Sequence, residues 1–177
     1  QVLFNDGKQY YGGGVEFGPQ AISEAQWRTQ FNIDRQGDLY PTHGVGPVMQ
    51  FIDINRGNRF TNLVSFSSKA RGLASYVEQM SPGHPNAKLN YKNGDVVTTM
   101  MNCANGETVL ITHDTHLPRP YSIGFRVQGT GGIWEDVAKS IYIEGKSEKP
   151  HQWDPAKTWT DKYDHPLWKK YEKLATS

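Results

Sequence analysis

Apolar residues recur at helical spacing over Val45, Val48, Met49 and Ile52, at i, i+3, i+4 and i+7, and predict a helix with one buried stripe. Pro47 is expected in its first turn, where a missing N–H costs nothing, and Asn55-Arg56-Gly57-Asn58 supplies the stop, with Gly57 as a left-handed cap. Val2 to Tyr11 reads as extended, and Tyr10-Tyr11-Gly12-Gly13-Gly14-Val15 as a bend into a further strand. Phe60 to Ser67 alternates as a strand, Lys69 to Met80 carries a short helix, and Ser81 to Asn86 forms a loop. Val97 to Cys103 and Thr108 to His113 flank Asn105-Gly106, the preferred pair for a two-residue primed turn. That hairpin register sets Met101 opposite Leu110 and Thr99 opposite Thr112. Tyr121 to Gln128 alternates apolar Tyr121, Ile123, Phe125 and Val127 with polar or small partners, and Ile133-Trp134 and Ile141-Tyr142-Ile143 read as further strands. The expected fold is α+β: a broad, mostly antiparallel sheet with helices packed on one face.

Length and charge narrow the function classes. A chain of 177 residues, 36% hydrophobic, reads as a single domain able to bury a core without metals or disulfides. With 19 basic and 18 acidic residues spread along it, the chain carries no electrostatic footprint for nucleic acid or an anionic membrane. No apolar run approaches a membrane span, so the chain reads as soluble. Cys103 stands alone in an apolar run, which makes it a buried thiol and not a nucleophile. The start at Gln1 and the finish in a helical Leu167 to Leu174 give the look of an excised domain.

Glycine clusters do not supply a nucleotide loop. Gly12-Gly13-Gly14 is followed by Glu16, Phe17, Gly18 and Pro19 and not by a helix, and Gly129-Thr130-Gly131-Gly132 leads into a strand. His113-Asp114-Thr115-His116 has metal-like composition, yet on a strand residues three apart face opposite ways, so its imidazoles do not converge without a bend; no metal site is assigned. His84, His151 and His165 read as structural or solvated. Ser67, Ser68 and Ser122 lack the context of an activated nucleophile.

Leu39-Tyr40-Pro41-Thr42-His43-Gly44 carries the clearest site chemistry, a phenol and an imidazole at the amide end of the predicted helix. The helix dipole there disfavours imidazolium, leaving His43 neutral and able to take a proton from a hydroxyl. The plain alternative is that His43 caps the turn and Tyr40 packs into the core. Trp27-Arg28 offers an indole face and a guanidinium fork suited to a sugar, with a core Trp and a surface-reaching Arg as the plain alternative.

Six separated segments together carry a family resemblance: Trp27-Arg28; Leu39 to Pro47; Asn55-Arg56-Gly57; His113-Asp114-Thr115 through Leu117-Pro118-Arg119-Pro120-Tyr121; Phe125 to Trp134; and Tyr163-Asp164-His165-Pro166-Leu167-Trp168. The chain resembles, over nearly its whole length, the C-terminal part of glycoside hydrolase family 109, NAD-dependent enzymes typified by alpha-N-acetylgalactosaminidase within the glucose-fructose oxidoreductase and inositol dehydrogenase (Gfo/Idh/MocA) group.

The resemblance implies a substrate-binding sheet domain whose N-terminal Rossmann partner, absent from this chain, holds most of the NAD. It implies oxidation of the sugar C3 hydroxyl, loss of the C2 proton with elimination of the aglycone, addition of water and return of the hydride, so no paired carboxylates are needed. Residue by residue, Arg28, Tyr40 and Tyr121 match substrate-contacting positions, and Tyr40, Pro41, Thr42 and His43 match the stretch on the nicotinamide side. His43 and Tyr40 are the catalytic candidates. The expected partner is a carbohydrate, an N-acetylated hexosamine glycoside, with homo-oligomerisation through the sheet face, and a periplasmic or secreted setting for the parent. The upstream tyrosine expected to act near C2 is not in this chain, and the domain alone is expected not to turn over. Two other classes stay open: an NAD(P)-dependent sugar or polyol dehydrogenase, and a non-catalytic carbohydrate-binding or oligomerisation module.

Overall fold

In the computed structural model, residues 2–6, 25–80 and 82–175 are described; the extended run expected beyond Asp6 and the bend at Gly12 to Gly14 lie outside them. Two units divide the chain, 1–124 and 125–177. In the first, β1 (Val2–Asp6) precedes α1 (Ala25–Asp34), α2 (Pro41–Phe51), β2 (Phe60–Ser67), α3 (Gly72–Met80), β3 (Val96–Cys103) and β4 (Thr108–Asp114). Its strands lie in the order β2-β3-β4-β1, antiparallel except for the parallel β1–β4 pair. The predicted α+β class and mostly antiparallel sheet hold.

Strand alternation decides what this sheet buries. Val97 opposite His113 and Met101 opposite Val109 lie on the covered face, while Val64 opposite Met100 and Phe66 opposite Thr98 lie on the other, where Val64, Phe66 and Met100 are exposed. α2 lies against β1 and β4, with Gly44 and Val48 buried one turn apart. A second cluster, Leu73, Val77 and Tyr91, gathers Ile33, Ala74 and Leu89 around α3.

Three local expectations need correction. The hairpin has a three-residue loop, not a two-residue primed turn: Gly106 donates to Cys103 O, Cys103 N–H donates to Glu107 O, and only Gly106 is left-handed, with φ 96°. Met101 therefore faces Val109, Leu110 faces Met100 and Thr99 faces Ile111, one residue from the expected register. The one-residue shift puts His113 on the buried face, opposite Val97.

α2 begins at Pro41, so that proline holds the first-turn position expected of Pro47, which falls in the helix interior and cannot donate to the carbonyl of His43. The helix ends at Phe51 with Ile52 as its cap, and Asp53 (φ 54°) turns the chain left-handed there; Gly57 serves a later turn closed by Asn58 N–H on Asp53 O. Buried Asn58 ties that turn to the hairpin, its Nδ2 reaching Ile52 O at 2.8 Å and Glu107 Oε2 at 3.0 Å while its Oδ1 accepts from Asn105.

The strand expected over Tyr121 to Gln128 shortens to β5 (Arg126–Gly129). Pro118 and Pro120 withhold ladder donors, and Gly124, at φ 54°, turns the chain left-handed just before the strand. In the second unit β5 continues by antiparallel pairing through β6 (Gly132–Glu135), β7 (Ser140–Ile143) and β8 (Asp154–Pro155), followed by α4 (Ala156–Tyr163) and α5 (Pro166–Ala175). Among the described residues no helix is long and apolar enough to cross a membrane.

Candidate functional site

The loop before α2 is set by a short polar side chain. Asp38 Oδ1 accepts the backbone N–H of Tyr40 at 2.7 Å, a local turn that aims the chain into Pro41, where the fixed φ starts the helix. Thr42 and His43 then stand exposed in the first turn, and no side-chain cap closes it. The Tyr40 and His43 rings lie with centroids 5.3 Å apart, tilted by 46°. The Tyr40 phenol oxygen is buried, so it is His43, and not that oxygen, that the first turn presents to solvent.

Beneath Tyr40 lies His113, to which the sequence assigns no catalytic or substrate-binding role. His113, 1% exposed, stacks on Tyr40 with centroids 6.2 Å apart and planes 18° from parallel. Its Nδ1 stands 3.3 Å from Asp38 Oδ1, and its Nε2 lies 3.4 Å from the Thr115 hydroxyl. One carboxylate oxygen of Asp38 thus faces both the backbone entering α2 and the imidazole on β4.

His113 and His116 do converge, through the bend that the strand argument requires. β4 ends at Asp114, and the bend after it sets the two rings edge to face, 6.3 Å apart at 83°. His116 is buried, and burial first, then the neighbouring His113, pulls its pKa down to about 4, so it is neutral near pH 7. Its Nδ1 stands 3.9 Å from Asp95 Oδ1. Among the described residues no group of three or more His, Cys, Asp or Glu side chains is arranged to hold a metal ion.

The remaining candidates come from other segments of the chain. Tyr121 is 71% exposed and makes no ring contact with Tyr40 or His43. It sits in a segment held by Arg119, whose guanidinium donates to Pro120 O at 3.3 Å and Ser122 O at 3.1 Å while Nε lies 3.0 Å from Asp114 Oδ2. Burial, only partly offset by Arg119, raises the Asp114 pKa. Arg28 falls on α1, and its side chain is outside the described residues. Cys103 is a buried thiol as expected, its pKa raised by burial and then by Glu107. His84 and His165 are structural: each Nδ1 accepts a backbone N–H two residues on, from Asn86 and from Leu167.

Sequence reasoning missed Asp38 and Asp95. Asp38 had a local signal, an Asp two residues ahead of the turn residue it caps. Asp95 had none, because its partners at Arg71, Gly72 and His116 come from distant parts of the chain.

The family model for glycosyl hydrolase 109, C-terminal domain, matches residues 1–177. The chain is 55% identical over 180 aligned residues to a glycosyl hydrolase family 109 protein of Stenotrophomonas maltophilia, covering 99% of this chain and 39% of that protein. It is 53% identical to an alpha-N-acetylgalactosaminidase of Tannerella forsythia, covering 97% of this chain and 37% of that one. A solved inositol dehydrogenase homolog from Azotobacter vinelandii, complexed with NAD+, is 17% identical with a TM-score of 0.45, over 93% of this chain and 41% of that one. The chain belongs to the glycosyl hydrolase 109 C-terminal domain family and spans 39% or less of the length of the two curated relatives named here.

Proposed function

We propose that this chain is the substrate-binding domain of an NAD-dependent glycosidase acting on N-acetylated hexosamine glycosides, α-N-acetylgalactosaminides first. The whole-chain family match supports the class, and the exposed His43 ring beside Tyr40 in the uncapped first turn of α2 is the observation that carries the chemistry. That turn suits the nicotinamide end of the cofactor: Pro41, Thr42 and His43 are exposed, and nothing on it resembles a phosphate loop. A preceding Rossmann domain holds the rest.

A bound NAD would supply a hydride acceptor and donor for the sugar C3: the C3 ketone acidifies the C2 hydrogen, the aglycone leaves by elimination, and the hydride would return after water has added. His43 takes the proton of the C3 hydroxyl and gives it back. Tyr40 fixes the His43 ring and borders the sugar, Tyr121 orients the sugar from its exposed loop, and Arg28 grips a hydroxyl or the acetamido carbonyl. Pro41 and Thr42 complete the cofactor-facing wall.

Full-length protein carrying His43→Ala tests the reading. Release of N-acetylgalactosamine should fall by about 10²–10⁴-fold, and wild-type protein should turn over without net accumulation of NADH. Stoichiometric NADH would make the protein a plain sugar or polyol dehydrogenase, and unchanged release in the variant would favour a binding module.

The apolar patch of Val64, Phe66 and Met100 on the uncovered sheet face supports pairing with a second copy. Phe66→Glu should lower the mass of the full-length protein by light scattering.

A further inference from the structure

Along β4 the buried face reads Val109, Ile111, His113, and the third of these is the largest fully buried side chain among the described residues. An apolar side chain of similar size would fill that place without burying two ring nitrogens, which is costly unless they find polar partners. The partners are particular. Nδ1 faces Asp38 Oδ1 at 3.3 Å, the same oxygen that accepts the Tyr40 N–H at 2.7 Å, and Nε2 faces the Thr115 hydroxyl at 3.4 Å. The ring stacks on Tyr40, whose other neighbour is His43.

We propose that His113, set beside the Asp38 carboxylate, is a positioning residue that fixes Tyr40 and through it the exposed imidazole of His43. Asp38 sets the backbone at residue 40 and the His113 ring sets the Tyr40 plane, so the first turn of α2 is referenced to β4 by ring stacking and by the carboxylate 3.3 Å from the imidazole. This inference rests on the proposed role of His43 but is not the same claim. It predicts a loss in turnover with little loss in substrate binding, because neither His113 nor Asp38 is exposed to a ligand.

Two variants of the full-length protein separate this link from bulk packing. His113→Phe keeps a ring and removes both nitrogens; His113→Asn returns a donor near the Nδ1 position. With bound NAD and an aryl α-N-acetylgalactosaminide, the Phe variant should lose about 10- to 100-fold in kcat with KM changed by less than about threefold, and the Asn variant should recover most of it. In parallel, the ¹⁵N imidazole resonances of His43 should move in the Phe variant and return in the Asn variant. Unmoved His43 resonances in the Phe variant overturn the inference whatever the kinetics, and so does an Asn variant as impaired as the Phe variant. If wild-type protein hydrolyses no such glycoside but the resonances behave as stated, the proposed glycosidase reading fails and the positioning role stands.

Discussion

Asp95 Oδ1 accepts the backbone N–H of Gly72 at 2.8 Å, at a point where a Cβ on residue 72 would stand 2.0 Å from the carbonyl oxygen of His116. The start of α3, the chain after β4 and the buried carboxylate therefore meet at one crowded position. Gly72→Ala cannot be absorbed by moving a flexible side-chain end, since the obstacle is backbone. It should cost about 1–3 kcal/mol, toward the upper end, as a lowered urea midpoint with an unchanged m-value. A variant as stable as wild type would mean that this junction is looser than described.

Asp95 also accepts the Arg71 N–H through both carboxylate oxygens, at 3.1 and 3.0 Å, so it caps α3. Asp95→Ala should lose about 1–2 kcal/mol, whereas Asp95→Asn, which keeps an acceptor, should lose markedly less. Equal losses in denaturant titrations would place its worth in charge and not in capping.

His116 predicts a pH dependence of stability. Its folded pKa of about 4 lies below the ordinary 6.5, so between those values the unfolded chain binds the extra proton and the folded chain resists it. Stability should fall as pH drops from about 6.5 to about 4, by an amount on the order of 3 kcal/mol at the limit. Asp114 acts in the opposite sense: its raised pKa favours the protonated form in the fold, a contribution present below the ordinary 3.8 and lost as pH rises through the folded value. Urea midpoints from pH 4 to 7 should show a slope in the wild type that flattens in His116→Gln. An identical slope in both would assign the effect elsewhere.

Much of this was legible in the sequence, for local reasons. The β2 strand, the helix around Val48, the short strands at Ile133 and Ile141 and the buried Cys103 follow from periodicity and composition. What failed turned on single residues. Asn105-Gly106 signals a tight turn in either register, and only the placement of the left-handed residue at Gly106 alone distinguishes a three-residue loop from a two-residue one. Two prolines compete for the first turn of α2, and Pro41 wins because Asp38 sets the turn before it. His43 and Tyr40 were readable because they are close in sequence. His113 was not, since its meaning comes from Asp38, a residue distant in sequence, and from a strand register shifted by one.

On the proposed function, the full-length protein breaks the glycosidic bond through a step at C2 of the sugar, with His43 managing the C3 hydroxyl proton. Hydrolysis of an aryl α-N-acetylgalactosaminide in deuterium oxide tests this most directly. Mass spectrometry of the released sugar should find solvent deuterium on C2, lost together with turnover in His43→Ala; full retention of the original C2 hydrogen during active hydrolysis would contradict it.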